Sequence, residues 1–142
     1  MQPRGVLLSN AIINNLRSVS KSIDIYSGSL DITFFRDDFG RRSDPIKAKE
    51  LDMNFSVEGK RVVLIDDVLF TGRSVRAALD ALLTFGRPDQ VELLVLIDRR
   101  LKRHLPIEPN YVGMTVDSIF SEDVVVKWSQ DLKQNEIFLL KN

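Results

Sequence analysis

The sequence predicts an α/β fold, a doubly wound and mainly parallel sheet with a small antiparallel hood at the C-terminus. Three observations predict it. Arg61 to Ile65 is an apolar run after one cation, as in a strand buried on both faces of a parallel sheet. Ser74 to Phe85 places Val75, Ala78, Leu79 and Leu82 on one helical face and stops at Gly86 and Pro88. Val91 to Ile97 is a second apolar run, and strand, helix and strand joined by short connections make a βαβ unit.

The remaining elements follow in order. Val6 to Val19 carries an approximate helical stripe through Leu7, Ala11, Ile12, Asn15 and Leu16. Ser29 to Phe35 alternates around Leu30, Ile32 and Phe34 and reads as a strand. Arg36 to Gly59 is a long polar connection, and a connection of that length is commonly functional or disordered. A basic run follows the second strand: Arg99, Arg100, Lys102, Arg103 and His104. It reads either as solvated turn charges or as a patch for RNA phosphates. Tyr111–Val116, Val124–Trp128 and Ile137–Leu140 read as short strands, expected to pair antiparallel as an appendage.

Composition narrows the classes of function. The 142 residues fit one domain with a real core, and a formal net charge of zero gives no global field to recruit nucleic acid or membrane. Without cysteine there is no disulfide or thiolate metal site, and a single histidine builds no histidine cluster, so no metal-ligand residues are assigned. No apolar run is long enough to span a bilayer, and the N-terminus lacks the core of a secretory signal. A cytoplasmic protein without a membrane partner is expected.

The chemistry concentrates in Asp66-Asp67-Val68-Leu69-Phe70-Thr71-Gly72-Arg73-Ser74. Two acids end a strand, and four residues later the chain opens a helix. Backbone N–H groups at a helix start suit phosphate, Gly72 lets the backbone approach closely, and the hydroxyls of Thr71 and Ser74 add donors. Carboxylates repel phosphate but accept hydrogen bonds from a sugar diol. Acids beside a phosphate cradle therefore suggest a ribose 5-phosphate. The spacing matches neither a Walker A loop nor a dinucleotide-binding glycine motif.

This stretch resembles the 5-phosphoribosyl-1-diphosphate (PRPP) signature of the type I phosphoribosyltransferases. More narrowly, the chain is similar to the bifunctional pyrimidine-operon attenuator and uracil phosphoribosyltransferase family. Asp31-Ile32-Thr33 with Phe35-Arg36-Asp37-Asp38, the Asp66–Ser74 signature, Gly86-Arg87-Pro88, and Leu105-Pro106-Ile107 before Tyr111-Val112-Gly113 carry the likeness in order, over nearly the whole chain. The resemblance implies a type I phosphoribosyltransferase fold and a transferase making UMP and diphosphate from uracil and PRPP. It implies Mg²⁺ carried with PRPP, a pyrimidine base as second substrate, an mRNA leader as a regulatory partner, and a homodimer or higher homo-oligomer. Asp66, Asp67 and Arg36 become the catalytic residues, and Asp66 through Ser74 the PRPP-binding loop. Pro3, Arg4 and Gly5 become the diphosphate loop, and Arg36 to roughly Asp44 a lid that closes over substrate. Val116, Asp117 and Ser118 fall on the segment over the base, where Gly113-Met114-Thr115-Val116-Asp117-Ser118 departs from the family's Gly-Lys-x-x-Pro-Thr-Ser. The family has a helix and a strand before its diphosphate loop, whereas here the loop starts at residue 2. Residues 1–142 are thus expected to be a phosphoribosyltransferase domain that is N-terminally incomplete.

Two other readings compete with this one. A non-catalytic, nucleotide-sensing attenuation protein that binds RNA would keep the same loop. A receiver-type signalling domain also places acids at strand ends, but gives Thr71-Gly72-Arg73-Ser74 no role.

Overall fold

A computed structural model describes residues 1, 4–36, 53–119, 121–129 and 134–141. Helix α1 spans Arg4–Val19, strand β1 Arg61–Leu69, helix α2 Arg73–Leu82, strand β2 Gln90–Arg99 and strand β3 Tyr111–Val116. Strands β4 (Glu122–Lys127) and β5 (Glu136–Lys141) complete the chain. The predicted βαβ unit is present. β1 and β2 pair in parallel, with Leu64 opposite Leu93, Asp66 opposite Val95 and Leu69 opposite Asp98.

The acids close an apolar run and so read as ending a central parallel strand, but the described sheet runs β1-β2-β3: β2 is the middle strand and the strand bearing the acids lies at the edge. A second expectation also changes. β3 joins this sheet in parallel, with Arg99 opposite Val116, so only β4 and β5 form the antiparallel appendage. The connection of residues 100–110 is long enough to carry the chain back from the carboxyl end of β2 to the level of Leu94, which permits the parallel pairing.

Ser29 to Phe35 is not a strand. Its alternating apolar residues fit either an extended edge or a packed loop, and here the loop wins. Leu30 and Ile32 are buried, and Thr33–Phe35 closes as a 3₁₀ turn. Asp31 directs that turn, because its Oδ1 accepts from the Thr33 N–H (2.9 Å) and from the Thr33 hydroxyl (2.5 Å). A carboxylate that bonds its own backbone two residues on offers the chain an alternative to a ladder.

Packing has two centres. α2 buries Val75, Ala77, Ala78, Ala81 and Leu82 in a core with Leu64, Leu93, Val95, Leu30, Ile32 and Val57. The alanines bring the helix close to the sheet. A smaller cluster of Ile97, Val124 and Val126, flanked by Val68, Val116 and Trp128, ties the appendage to the strand ends. Among the described residues, no helix is long and apolar enough to cross a membrane.

Candidate functional site at the carboxyl end of the first strand

Strand β1 runs longer than its apolar stretch predicts and carries Asp66 and Asp67 inside the ladder. Asp67 is the more buried, at 6% exposure. Its Oδ1 accepts the Val68 N–H at 2.9 Å, and its Oδ2 is buried with no hydrogen-bond partner among the described residues. A buried carboxylate oxygen left unpaired is costly and marks a place where a donor is missing. Burial, with the charge of Asp67 beside it, pushes the Asp66 carboxyl up to about 7. The Met1 ammonium opposes that rise, and burial lowers its own pKa.

The loop after the acids is shaped by glycine geometry. Gly72 has φ +88°, in the left-handed region, and serves as the N-cap of α2 without a side-chain cap bond. Its carbonyl accepts the Arg76 N–H at 3.0 Å, the first bond of the helix. The early N–H groups of α2 therefore have no intrahelical acceptor and face the loop. Thr71 Oγ1 lies 3.4 Å from the Arg73 N–H, and Ser74 is partly exposed at the helix start. Leu69, at 2% exposure, belongs to the core, and Val68 packs against the smaller cluster. These two hold the loop in place and do not face outward from it.

The amino end of α1 meets the same strand. Gly5 lies in its first turn, and a Cβ there would stand 2.5 Å from the Ile65 carbonyl and 3.2 Å from the Asp66 Cα. The expected diphosphate loop is thus in part a helix start. The need for glycine at position 5 comes from close helix–strand approach as much as from a free N–H. The Met1 ammonium donates to the Ile65 carbonyl at 2.6 Å. Two helix N-termini, those of α1 and α2, consequently flank the acid pair, and the partial positive charge at helix starts favours an anion there. Pro3 lies outside the described residues, as does the expected lid from residue 37 onward. Arg36 is exposed at the close of the 3₁₀ turn, and Arg76 of α2 donates to the Phe35 carbonyl just before it (3.3 Å). The origin of the expected lid is therefore fastened to the helix that starts at the loop.

The basic run divides by function in a way that composition does not show. Arg103 donates to the Phe70 carbonyl at 2.7 Å and pairs with the buried Asp98. Arg99 is 4% exposed, and its guanidinium carbon lies 3.8 Å from the centre of the Phe70 ring. The N–H groups of His104 and Leu105 both donate to the Thr71 carbonyl, at 3.0 and 3.2 Å. Ile107 and Leu105 crowd Gly72, within 3.3 and 3.4 Å of where a Cβ would be. Residues 98–107 form the outer wall of the loop, so Arg99 and Arg103 contribute neither a solvated face nor an RNA-phosphate patch. Sequence reasoning missed both residues as parts of the site. Their one signal was position, directly after a strand whose carboxyl end adjoins the loop.

At the predicted base segment, Val116 is partly buried. Asp117 forms a two-pronged ion pair with Arg100 (2.8–3.1 Å), and Ser118 is 1% exposed with its Oγ accepting from Arg99 Nε at 2.7 Å. Both polar side chains are engaged within the chain. An apolar cavity of about 830 Å³ runs along the outer edge of β1, between Val6 and Ile13 of α1, Tyr26 and Val62, and reaches Met1 and Gly5. Neither acid lines it, nor does any residue from Asp66 to Ser74, so the cavity does not identify the site; the Asp67 carboxylate oxygen without a partner among the described residues does.

A model of the phosphoribosyl transferase domain matches residues 2–131. A protein named Bifunctional protein PyrR from Geobacter sp. (strain M21) is 42% identical over 137 residues, covering 96% of this chain and 76% of that protein. One of the same name from Halalkalibacterium halodurans is 45% identical over 133 residues, covering 92% and 72%. Among solved structures, a hypoxanthine phosphoribosyltransferase from Staphylococcus aureus is similar over 48% of this chain and 35% of its own. The TM-score there is 0.42 and the identity 31%.

Proposed function

Because the chain belongs to the phosphoribosyl transferase domain family, we propose that it transfers a 5-phosphoribosyl group from PRPP to uracil, giving UMP and diphosphate. The observation that carries this reading is the Asp67 carboxylate: buried, unpaired at Oδ2, and one short loop upstream of a helix start. In the reaction the ribose C1–oxygen bond breaks with its electron pair leaving on diphosphate. A ring nitrogen of the base bonds C1 and gives up its proton. The transition state carries oxocarbenium character, so a catalyst must stabilise the leaving group and align the base.

Each part of the site has a task in that scheme. Asp66 and Asp67 accept from the ribose hydroxyls. The backbone of Thr71 to Ser74, at the start of α2, takes the 5-phosphate. The start of α1 at Arg4 and Gly5 faces the diphosphate, and Arg36 reaches it from the lid side. An Asp66 carboxyl with a pKa near 7 can also hold or release a proton at working pH. The donor set fits Mg²⁺ brought by the substrate: the Asp66 and Asp67 carboxylates belong to the strand against which the start of α1, the proposed diphosphate position, is packed. Mg²⁺ characteristically binds through one or two carboxylates plus substrate phosphates, and when bound it would offset the diphosphate charge.

The relatives' printed name, Bifunctional protein, goes with a second activity, and the likeness to the attenuator family assigns that activity to binding a pyrimidine-operon mRNA leader. A cytoplasmic location goes with both activities, as does a homodimer. β3 is one of the two outer strands of the described sheet and exposes Tyr111, Val112 and Met114, an apolar edge that a second copy would cover. The test is product formation from PRPP and Mg²⁺ with uracil, cytosine, hypoxanthine and guanine in parallel. UMP as the dominant product is expected. Turnover confined to a purine would overturn the choice of base. No turnover, with RNA binding intact, would favour the non-catalytic attenuator.

A further inference from the structure

Arg99 is among the few charged side chains buried in the described structure, at 4% exposure. Its recorded partners are all neutral: the Phe70 ring, the Ser118 hydroxyl (2.7 Å), the Glu122 carbonyl (2.6 Å) and the Ile119 carbonyl (3.3 Å). Among the described residues no carboxylate pairs with it. Burying a guanidinium on neutral acceptors alone is unfavourable unless nearly every donor is used and the geometry is tight. The stability of the strand ends does not explain the choice, since an apolar side chain would fill the same space at lower cost.

The geometry instead joins two parts of the chain with different tasks. Phe70 belongs to the loop proposed to hold the ribose 5-phosphate. Ser118 belongs, with Val116 and Asp117, to the segment that the family likeness sets over the base, and Ile119 follows it toward β4. Arg99 ends β2, between the two, in register with Val116. Its flat face supports Phe70, and its edge donors, fixed in one plane, hold Ser118, Ile119 and Glu122. Glu122 is further tied to Ile119: its N–H donates to the Ile119 carbonyl at 3.1 Å and its Oε2 accepts the Ile119 N–H at 3.0 Å. Arg103, by contrast, bonds only the loop and Asp98 in this region.

We infer that Arg99 is a positioning residue that sets the distance between the ribose-phosphate loop and the base segment, and so the alignment of the base nitrogen with C1. The inference rests on the proposed transferase reading. Ribose 5-phosphate should contact the loop alone, whereas UMP contacts the loop and the base segment together. The ratio of their affinities therefore reports the alignment of the two parts and is insensitive to a general loss of loop order.

The test measures dissociation constants of UMP and ribose 5-phosphate by calorimetry for the wild type, Arg99→Lys, Arg99→Met and Ser118→Ala. In Arg99→Met the UMP preference is expected to fall at least tenfold, with a smaller loss for ribose 5-phosphate. Arg99→Lys, which keeps the charge but not the planar fork, should also fail to restore the preference. Ser118→Ala removes one link without disturbing the buried charge and should lower the preference about threefold, which keeps the test open if the Arg99 variants do not fold. A folded Arg99→Met or Ser118→Ala protein with wild-type preference would overturn the inference. If the wild type itself binds UMP no better than ribose 5-phosphate, the base-site reading fails, and this inference with it. If it prefers UMP and the variants do too, only the role of Arg99 fails.

Discussion

Replacing Asp66 with Asn should make the protein more stable at neutral pH and less active. Burial and the neighbouring Asp67 raise the Asp66 carboxyl from 3.8 to about 7 in the folded chain. Between those two values the folded state binds more protons than the unfolded state, so stability falls as pH rises through about 4–7. Below that window both states are protonated and the effect vanishes. Above it, keeping the carboxylate charged costs on the order of 4 kcal/mol, against a typical domain stability of about 5–15 kcal/mol. The Met1 ammonium works against this. Its lowered pKa means that the folded state binds fewer protons than the unfolded state as pH approaches 8, and losing the Asp66 charge lowers it further. The stability gain of Asp66→Asn should thus be near zero at pH 4 and rise to roughly 2–4 kcal/mol by pH 8. Urea unfolding of both proteins at half-unit steps of pH measures the difference directly, because groups common to both proteins and distant from residue 66 cancel. A difference independent of pH, or an Asn variant less stable at pH 8, would refute the reasoning and make Asp66 a net partner of the ammonium.

Asp67→Asn should keep the fold, because the amide oxygen can still accept the Val68 N–H; it places a donor where Oδ2 now offers an acceptor. Losing a charge-assisted hydrogen bond of about 1.5–3 kcal/mol predicts a roughly 10–150-fold drop in kcat/KM for PRPP, and steady-state kinetics on the folded variant with unchanged values would remove Asp67 from the sugar site. Gly72→Ala must hold an L-residue at φ +88° and crowd Ile107, so about 1–2 kcal/mol of stability should be lost along with PRPP affinity; thermal melts and PRPP titration check both. Gly5→Ala drives a Cβ to 2.5 Å from the Ile65 carbonyl and should push the start of α1 away from β1, costing about 1–3 kcal/mol in a chemical melt. A neutral Gly5→Ala would mean that the helix start is loosely seated and that the α1 side of the site forms only with substrate.

The βαβ unit and the acid–glycine loop were legible in the sequence because local physics specifies them. Val62 to Ile65 and Val91 to Ile97 are apolar-rich runs of strand length, the Ser74 to Phe85 stripe has one period, and Gly72 stands where an ordinary residue is strained. The β4–β5 hairpin was legible for the same kind of reason. Tertiary structure decided what local pattern leaves degenerate. Whether Tyr111–Val116 pairs in parallel or antiparallel depends on which strand edge is open, and that is a property of β2 and not of the segment. Whether Leu30, Ile32 and Phe34 form a ladder or a packed turn depends on the Asp31 side chain and on the core beneath it. The basic run shows the limit most clearly. Arg99, Arg100 and Arg103 are the same residue type within five positions, yet one is buried on an aromatic ring, one bridges to Asp117 at the surface, and one holds a loop carbonyl. An arginine's role depends on which acceptors lie within reach of its side chain, and those acceptors come from Phe70, Asp117, Ser118, Ile119 and Glu122, which only the folded chain brings beside it.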